Sequence, residues 1–286
     1  MQFQKGIELK HFTSMGVGGV AQFFVEVSTL EHLQSVVSYC HEHKLSLFPL
    51  GKGSNVVFDD RGFEGVIILN KIAFFSEEGK GSFTVGAGYS FSLLGTQTAR
   101  KGWEGLEFAS GIPGSVGGAV YMNAGANGRE TFDALEEVVF VNDKGQVEHI
   151  QKSALKWGYR FSSFQEKQGV IAAAKFQLKP SLEARQKQLK IIDYRTKTQP
   201  YADKSAGCVF RNLENHSAGA LIDQCGLKGF SIGDAQVSLM HANFIINKGN
   251  ATAKEILELA NYVKRVVYEK TGILLEMEVK VISYSP

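Results

Sequence analysis

Between Gly105 and Gly128 the chain reads GLEFASGIPGSVGGAVYMNAGANG, with seven glycines in one mostly apolar segment. Leu106, Phe108, Ile112, Val116, Val120 and Met122 make it too apolar to behave as a solvated linker. A chain that carries such a segment must bury it. Glycine then serves either to close tight turns in a packed core or to let the backbone come very near something else. Positive φ values at glycine aim successive N–H groups at one anion, and a pyrophosphate is the usual guest of such a nest.

Length and composition narrow the setting. With 286 residues there is chain for one large domain or two to three modest ones. Lysine and arginine number 31 against 29 acidic residues, so no charge excess points to nucleic acid or an anionic membrane. No apolar run approaches the roughly 18 residues of a membrane span, and MQFQKGIELKHF has no signal-peptide core. Cys40, Cys208 and Cys225 are odd in number and lack zinc spacing. Reduced thiols in a cytoplasmic protein without a metal site are the simple expectation.

Taken in order, Gly16–Ala21 satisfies G-x-G-x-x-A, but an alternating AQFFVEV follows it where a dinucleotide fingerprint needs a helix. Ser28–Glu31 reads as a capping box for a helix over Leu30–His41. LSLFPL reads as a strand running into Gly51, Lys52, Gly53, Ser54 and Asn55, a turn with free N–H groups and short donors suited to phosphate. Taken alone the cluster is a weak signal, because glycine, serine and asparagine together are common turn chemistry. Short strands follow at 65–69 and 81–88, then a helix over 90–101, a hairpin across Asn142–Gly145, and a strand at 169–178. Strands dominate to about Pro180. The pattern predicts an α+β fold, with lobes at 1–70 and 71–180 and a further α/β domain at 181–286. That last part contains a long helix over Thr252–Glu269 and a closing strand.

Four places carry residues able to do chemistry: Tyr159–Arg160, SAGCVFRN at 205–212, DAQVSLMHANFIIN at 234–247, and LEMEV at 275–279. In the last, period-two alternation puts Glu276, Glu278 and Lys280 on one face. A solvated edge strand would show the same pattern. Arg160 can equally be a cation packed on Tyr159, and Cys208 a small buried hydrophobe.

Seven motifs together resemble the UDP-N-acetylenolpyruvoylglucosamine reductase family over nearly the whole chain. They are GxGSN at 51–55, the long glycine stretch, GYR at 158–160, AGCVFRN at 206–212, GLKG at 226–229, AQVSxxHANFIIN at 235–247 and LEMEV. The resemblance implies two lobes of the vanillyl-alcohol-oxidase type that sandwich FAD, and a third domain that holds a UDP-sugar over it. It implies a peptidoglycan-precursor enzyme that acts as a monomer, in which NADPH reduces FAD. Flavin N5 then passes hydride to the enolpyruvyl group, which makes UDP-N-acetylmuramate. The short span between Arg160 and Cys208 resembles the family's short form, which lacks a tyrosine loop.

Carried over by motif, the resemblance assigns cofactor contacts to Gly51, Lys52, Gly53, Ser54 and Asn55. It assigns more to Gly111, Ile112, Pro113, Gly114, Ser115, Gly117, Gly118, Asn123, Ala124 and Gly125. Tyr159, Gln199, Arg211, Asn212, Gln236, Ser238 and Asn243 become substrate contacts, with Arg195, Lys204 and Arg211 as candidate diphosphate cations. Arg160 and Glu278 match the catalytic arginine and glutamate. An arginine aimed at the substrate carboxylate stabilises the enolate that hydride addition creates. Glu278 helps only if desolvation keeps it protonated. The family's general acid is a serine, and Cys208 stands there instead. A thiol, with an ordinary pKa of about 8.5, is a stronger acid but a weaker hydrogen-bond donor.

Overall fold

The computed structural model describes residues 2–284. Two compact units account for the chain. The first contains the residues up to Gln4, Phe24–Lys52 and Gly65–Arg195; the second contains Lys5–Phe23, Gly53–Glu64 and the chain from Thr196 onward. The stretch 1–70 therefore contributes to both units, and the chain stays in the first unit until Arg195. Two of these boundaries fall inside the strands Val20–Val27 and Phe63–Asn70, where no shift of composition marks them.

In the first unit, five antiparallel strands lie in the order Val147–Gln151, Leu135–Asn142, Gly169–Gln177, Ser82–Gly86, Phe75–Gly79. Val138 faces Ala174, which faces Val85 in turn. The glycine-rich stretch packs into the core of this unit: Leu106, Phe108, Val116 and Val120 are buried with Phe83, Phe91, Phe132 and Phe176. Its apolar residues thus force burial, as their composition requires. The helix Leu30–Glu42 buries Leu33, Val36, Val37 and Cys40. Its cap is Thr29, whose hydroxyl accepts the His32 N–H, one residue later than the capping-box reading placed it.

The second unit is built on a four-stranded sheet, in the order Lys204–Cys208, Phe244–Asn247, Ala235–Val237, Ser231–Ile232. The helix Ala253–Thr271 buries Ile256, Leu259, Val263 and Val267 in the same core as Val237 and Ile245. Thr252 and Glu255 form its capping box, and Asp60 accepts the N–H groups of Ala253 and Lys254 at 2.8 and 2.9 Å. The first-turn donors are thereby satisfied. The closing strand covers Lys280–Ile282, parallel to Val56–Phe58, so LEMEV at 275–279 lies just before it. The alternation survives in part: Leu275 and Val279 are buried and Glu276 is exposed. Among the described residues no helix is long and apolar enough to cross a membrane.

Candidate active site

Ser115 opens the short helix Val116–Met122, and its hydroxyl accepts the Gly118 N–H at 3.3 Å. A Cβ on Gly117 would lie 2.9 Å from the Ala87 Cβ, and one on Gly51 would lie 2.2 Å from the Ser115 Oγ. A Cβ on Gly125 would reach 2.6 Å from the Arg129 carbonyl oxygen. The protein's own close packing therefore demands these three glycines. Gly118 differs: it is exposed, and the nearest atom to its imagined Cβ is the Ser115 Oγ at 3.4 Å. Gly111, at φ +82°, is held by its N–H bond to the Ser92 hydroxyl at 2.7 Å.

Gly114 accepts the Phe91 N–H at 3.1 Å, Ile112 donates to Ala109 at 2.9 Å, and Pro113 between them is exposed. Lys52 lies in the same unit as this turn, and burial holds its ammonium below the usual lysine range. An open turn flanked by Ser115 and accompanied by a partly buried lysine fits an anionic cofactor such as FAD.

The helix ends at Asn123, in the left-handed region at φ +43° and fully buried. Its amide nitrogen donates to the Gly158 carbonyl at 2.9 Å and to the Glu130 carboxylate, while its oxygen accepts the Phe132 N–H at 3.1 Å. Ala124 packs against the same core. Gly158 belongs to a small hairpin, Trp157–Gly158 with Phe161–Ser162, whose turn carries Tyr159 and Arg160. Ser162 Oγ donates to the Tyr121 carbonyl at 2.8 Å. Gln165 donates to Tyr121 at 3.1 Å and to the Arg160 carbonyl at 3.0 Å. Arg160 itself has φ +55°, a conformation that costs a residue with a Cβ, and its guanidinium lies 5.0 Å from the centre of the Tyr159 ring. The glycine-rich stretch thus fixes the arginine turn as well as its own.

In the second unit, Cys208 ends the strand Lys204–Cys208 and is half-buried, after a register break at Gly207 (φ +77°). Its neighbour Val209 accepts the Glu278 N–H at 2.8 Å. The Asn55 amide donates to the Glu278 carbonyl at 3.3 Å, and the Asn55 carbonyl accepts the Lys280 N–H at 3.0 Å. Val209, Asn55 and Glu278 are therefore tied together, by a backbone bond and an Asn55 side-chain bond, with Cys208 next to Val209 in the chain. Gly53, preceding Ser54 in the same loop, has φ +61°, and a Cβ on it would overlap the Phe12 carbonyl oxygen at 2.0 Å.

The proposed substrate residues divide by what their side chains already hold. Asn243 spends both ends of its amide on Phe210, at 2.9 and 2.8 Å, and Ser238 accepts the Met240 and His241 N–H groups. Gln236 donates to the Gly229 carbonyl and the Ser231 hydroxyl, and Asn212 accepts the Ala218 N–H at 3.0 Å. The Gln199 carbonyl accepts the Tyr201 N–H at 2.9 Å. Arg211 donates its backbone N–H to Glu276 at 2.9 Å, and its buried side-chain Nε has no acceptor. Arg160, Tyr159 and Arg195 lie in the first unit; Cys208, Glu278, Gln199, Lys204, Arg211, Asn212, Gln236, Ser238 and Asn243 lie in the second.

Comparison with known proteins agrees along the whole chain. Residues 21–151 match the model of an FAD binding domain, and residues 199–282 match that of the UDP-N-acetylenolpyruvoylglucosamine reductase C-terminal domain. The chain is 56% identical over 283 residues to the UDP-N-acetylenolpyruvoylglucosamine reductase of Protochlamydia amoebophila, covering 99% of this chain and 95% of that one. It is 43% identical to the reductase of the same name from Chlamydia trachomatis serovar L2, over 98% and 96% of the two chains. The crystal structure of the enzyme from Thermus caldophilus superposes with a TM-score of 0.84, at 38% identity and 99% coverage of both chains. This chain belongs to the UDP-N-acetylenolpyruvoylglucosamine reductase family. Its fold is α+β, an FAD binding domain joined to the reductase C-terminal domain.

In this family member, residues that the sequence did not single out support the chosen ones. Gln165 and Ser162 clamp the Arg160 turn. His241, whose imidazolium burial disfavours, accepts the Asn243 N–H at 3.2 Å and so braces the residue that holds Phe210. Polar residues a few positions beyond GYR were the only available signal for the first pair. For His241 the signal was its place in AQVSxxHANFIIN.

Proposed function

We propose that this chain is an FAD-containing, NADPH-dependent reductase that converts UDP-N-acetylenolpyruvoylglucosamine to UDP-N-acetylmuramate. The observation that supports this reading is the set of hydrogen bonds at Val209, Glu278 and Asn55, which ties the backbone of Glu278 to the residue that follows Cys208. FAD, when bound, supplies hydride transfer from NADPH to the terminal vinyl carbon. The chain's residues do the rest. Arg160, presented on a clamped turn, pairs with the substrate carboxylate and stabilises the charge that develops beside it. Cys208 delivers a proton from Sγ to the carbon next to that carboxylate. Glu278, carrying its proton, donates a hydrogen bond to the developing enolate oxygen.

The FAD would be held by the turn at Gly51–Asn55 and by the stretch from Gly111 to Gly125. Gln199, Arg211, Asn212, Gln236, Ser238, Asn243 and Tyr159 would shape the substrate region. Lobes at 1–70 and 71–180 remain part of this reading, and cysteines kept reduced at 40, 208 and 225 suit the cytoplasm.

The test is a colour experiment. Purified protein is expected to be yellow, to bleach with NADPH, and to regain its colour when enolpyruvyl-UDP-N-acetylglucosamine is added. A colourless protein that takes up no FAD, or a bleached one that ignores this substrate, would overturn the proposal.

A further inference from the structure

Asn243, Val209 and Glu278, all in the second unit, are linked in series by hydrogen bonds, and an imidazole stands at the head of the series. The strand Phe244–Asn247 pairs with Lys204–Cys208 as far as Cys208, which faces Phe244. Beyond that point Asn243 carries the pairing on by itself. Its carbonyl accepts the Val209 N–H at 2.8 Å, its side-chain oxygen accepts the Phe210 N–H at 2.9 Å, and its amide nitrogen donates to the Phe210 carbonyl at 2.8 Å. Residues 276–278 hold the opposite edge of the same segment. The Val209 carbonyl accepts the Glu278 N–H at 2.8 Å, and the Arg211 N–H donates to the Glu276 carbonyl at 2.9 Å. A rotation of Asn243 therefore displaces Val209, and with it both Cys208 before it in the chain and Glu278 across from it.

His241 is what fixes Asn243. The Asn243 N–H donates to His241 Nδ1 at 3.2 Å. A backbone N–H can only donate, so Nδ1 must offer a lone pair and the ring proton sits on Nε2. The ring has little room to turn away. It lies edge-on to Phe244 with ring centres 4.8 Å apart, and a Cβ on Gly219 would come within 3.3 Å of its Cε1. The His241 carbonyl accepts the Phe244 N–H at 2.9 Å, and its own N–H donates to the Ser238 hydroxyl at 3.4 Å. Burial holds the imidazole below the ordinary histidine range; Lys228, paired with Asp223 at 2.7 Å, acts the same way and the residue's own carbonyl the other. The ring is thus neutral at neutral pH, the form this bond requires.

We infer that His241 is a positioning residue for the reduction, acting through Asn243 on the backbone that carries Cys208 and Glu278. The inference rests on the proposed reaction for the roles of those two residues, whereas the series of bonds does not. His241 neither gives nor takes a proton in the chemistry; its part is to accept one N–H. Packing alone does not call for histidine here, because phenylalanine would fill a similar space against Phe244 and Gly219. What phenylalanine lacks is the lone pair. Without it the N–H of Asn243, a residue only 3% exposed, loses its partner.

The test uses the FAD-loaded enzyme and two variants. His241→Phe keeps a ring and removes the acceptor, while His241→Asn places a side-chain oxygen near the position of Nδ1. Amide hydrogen exchange reads the brace directly. In His241→Phe the amides of Val209, Phe210 and Glu278 are expected to exchange about three- to tenfold faster, as loss of one hydrogen bond implies. Those inside the helix Ala253–Thr271 should keep their rates, and His241→Asn should restore all three. Reoxidation of the bleached flavin by substrate is expected to slow about tenfold in His241→Phe and to recover in His241→Asn, with bleaching by NADPH unchanged in both. Wild-type reoxidation should also fall below about pH 6, as Nδ1 takes up a proton, and His241→Asn should lack that fall.

Unchanged exchange and reoxidation in His241→Phe would overturn the inference. So would a His241→Asn variant no better than His241→Phe, or an acid fall that persists in His241→Asn. Circular dichroism and flavin absorbance identify a variant that has failed to fold, and wild type then decides. Protection of the three amides must drop on the acid side while the helix keeps its own, and constant protection sinks the brace. The proposed reaction fails separately: exchange that responds to the variants, in a bleached protein that ignores the enolpyruvyl substrate, leaves the brace standing and removes the reaction. Normal turnover with exchange that ignores the variants does the reverse.

Discussion

The Asn123 side-chain amide donates to the Gly158 carbonyl at 2.9 Å, across thirty-five positions of the chain. It joins the end of the glycine-rich helix to the hairpin whose turn carries Arg160. Two costs meet there, because Asn123 and Arg160 both have positive φ. Such conformations persist only where surrounding bonds over-determine them. The bonds from Asn123, Ser162 and Gln165 do this, so the end of the glycine-rich helix and the turn that carries Arg160 are fixed together.

Replacing Asn123 by Ala should therefore damage the arginine turn more than the fold. It removes the bond to Gly158 and leaves the Phe132 N–H without its acceptor, a loss of about 1–3 kcal/mol in stability. Asn123→Gly keeps the left-handed backbone but not the bonds, and should lose catalysis comparably. The check is denaturant unfolding beside single-turnover reoxidation by substrate. Normal reoxidation in both variants would show that Arg160 needs no such clamp.

Gly51 and Ser115 make a sharper case. A methyl group on Gly51 would sit 2.2 Å from the Ser115 hydroxyl, and overpacking of this kind costs about 1–3 kcal/mol. Gly51→Ala is expected to lower FAD occupancy, read as the absorbance ratio of flavin to protein. Adding Ser115→Ala removes the nearest atom and leaves a Cβ at 3.2 Å, which neighbours can yield to. The double variant should regain flavin. If it holds less than Gly51→Ala alone, the clash is not the cause.

Much of this was legible in the residues. The apolar positions of the glycine-rich stretch announced its burial, and the long helix read over Thr252–Glu269 runs Ala253–Thr271. What stayed hidden was long-range pairing. Nothing in the spacing says that Gly117 abuts Ala87, so glycines kept for packing read the same as glycines kept for a ligand. LEMEV alternated like a strand, yet the bond from Glu278 to Val209 and the Asn55 amide take the place of a regular ladder there. Asn243 looked like a ligand group because amides suit a uracil edge; only the fold shows its amide tied to Phe210.

Cys40 gives a pH test independent of catalysis. Burial pushes its thiol up to about 11, above the ordinary value of about 8.5. The folded state then keeps a proton that the unfolded chain releases. Stability from this group is fully present below about pH 8.5 and is lost as pH rises toward 11. Cys40→Ala should flatten the fall in stability across that window, measured by urea unfolding at several pH values. At pH 8 an alkylating reagent should modify Cys208 well before Cys40, because Cys40 is 1% exposed and Cys208 is only half-buried. Equal rates by mass spectrometry would contradict this.

Cys208 and Glu278 carry the chemical prediction. If Cys208 delivers the proton, Cys208→Ala should slow reoxidation by roughly 10²–10⁴-fold while NADPH still bleaches the flavin at the normal rate. Cys208→Ser restores a hydroxyl at the same position and should retain most of the rate, now insensitive to alkylation. Glu278→Gln keeps a donor beside the enolate, whereas Glu278→Ala removes it. The glutamine variant is therefore expected to spare much of the rate and the alanine variant little. The shared backbone link at Val209 makes the pair interdependent, so the double variant with Cys208→Ala should cost less than the product of the two single losses. Full rate in Cys208→Ala would remove the thiol from the mechanism, and equal losses in the two Glu278 variants would argue against a neutral hydrogen-bond donor at this position.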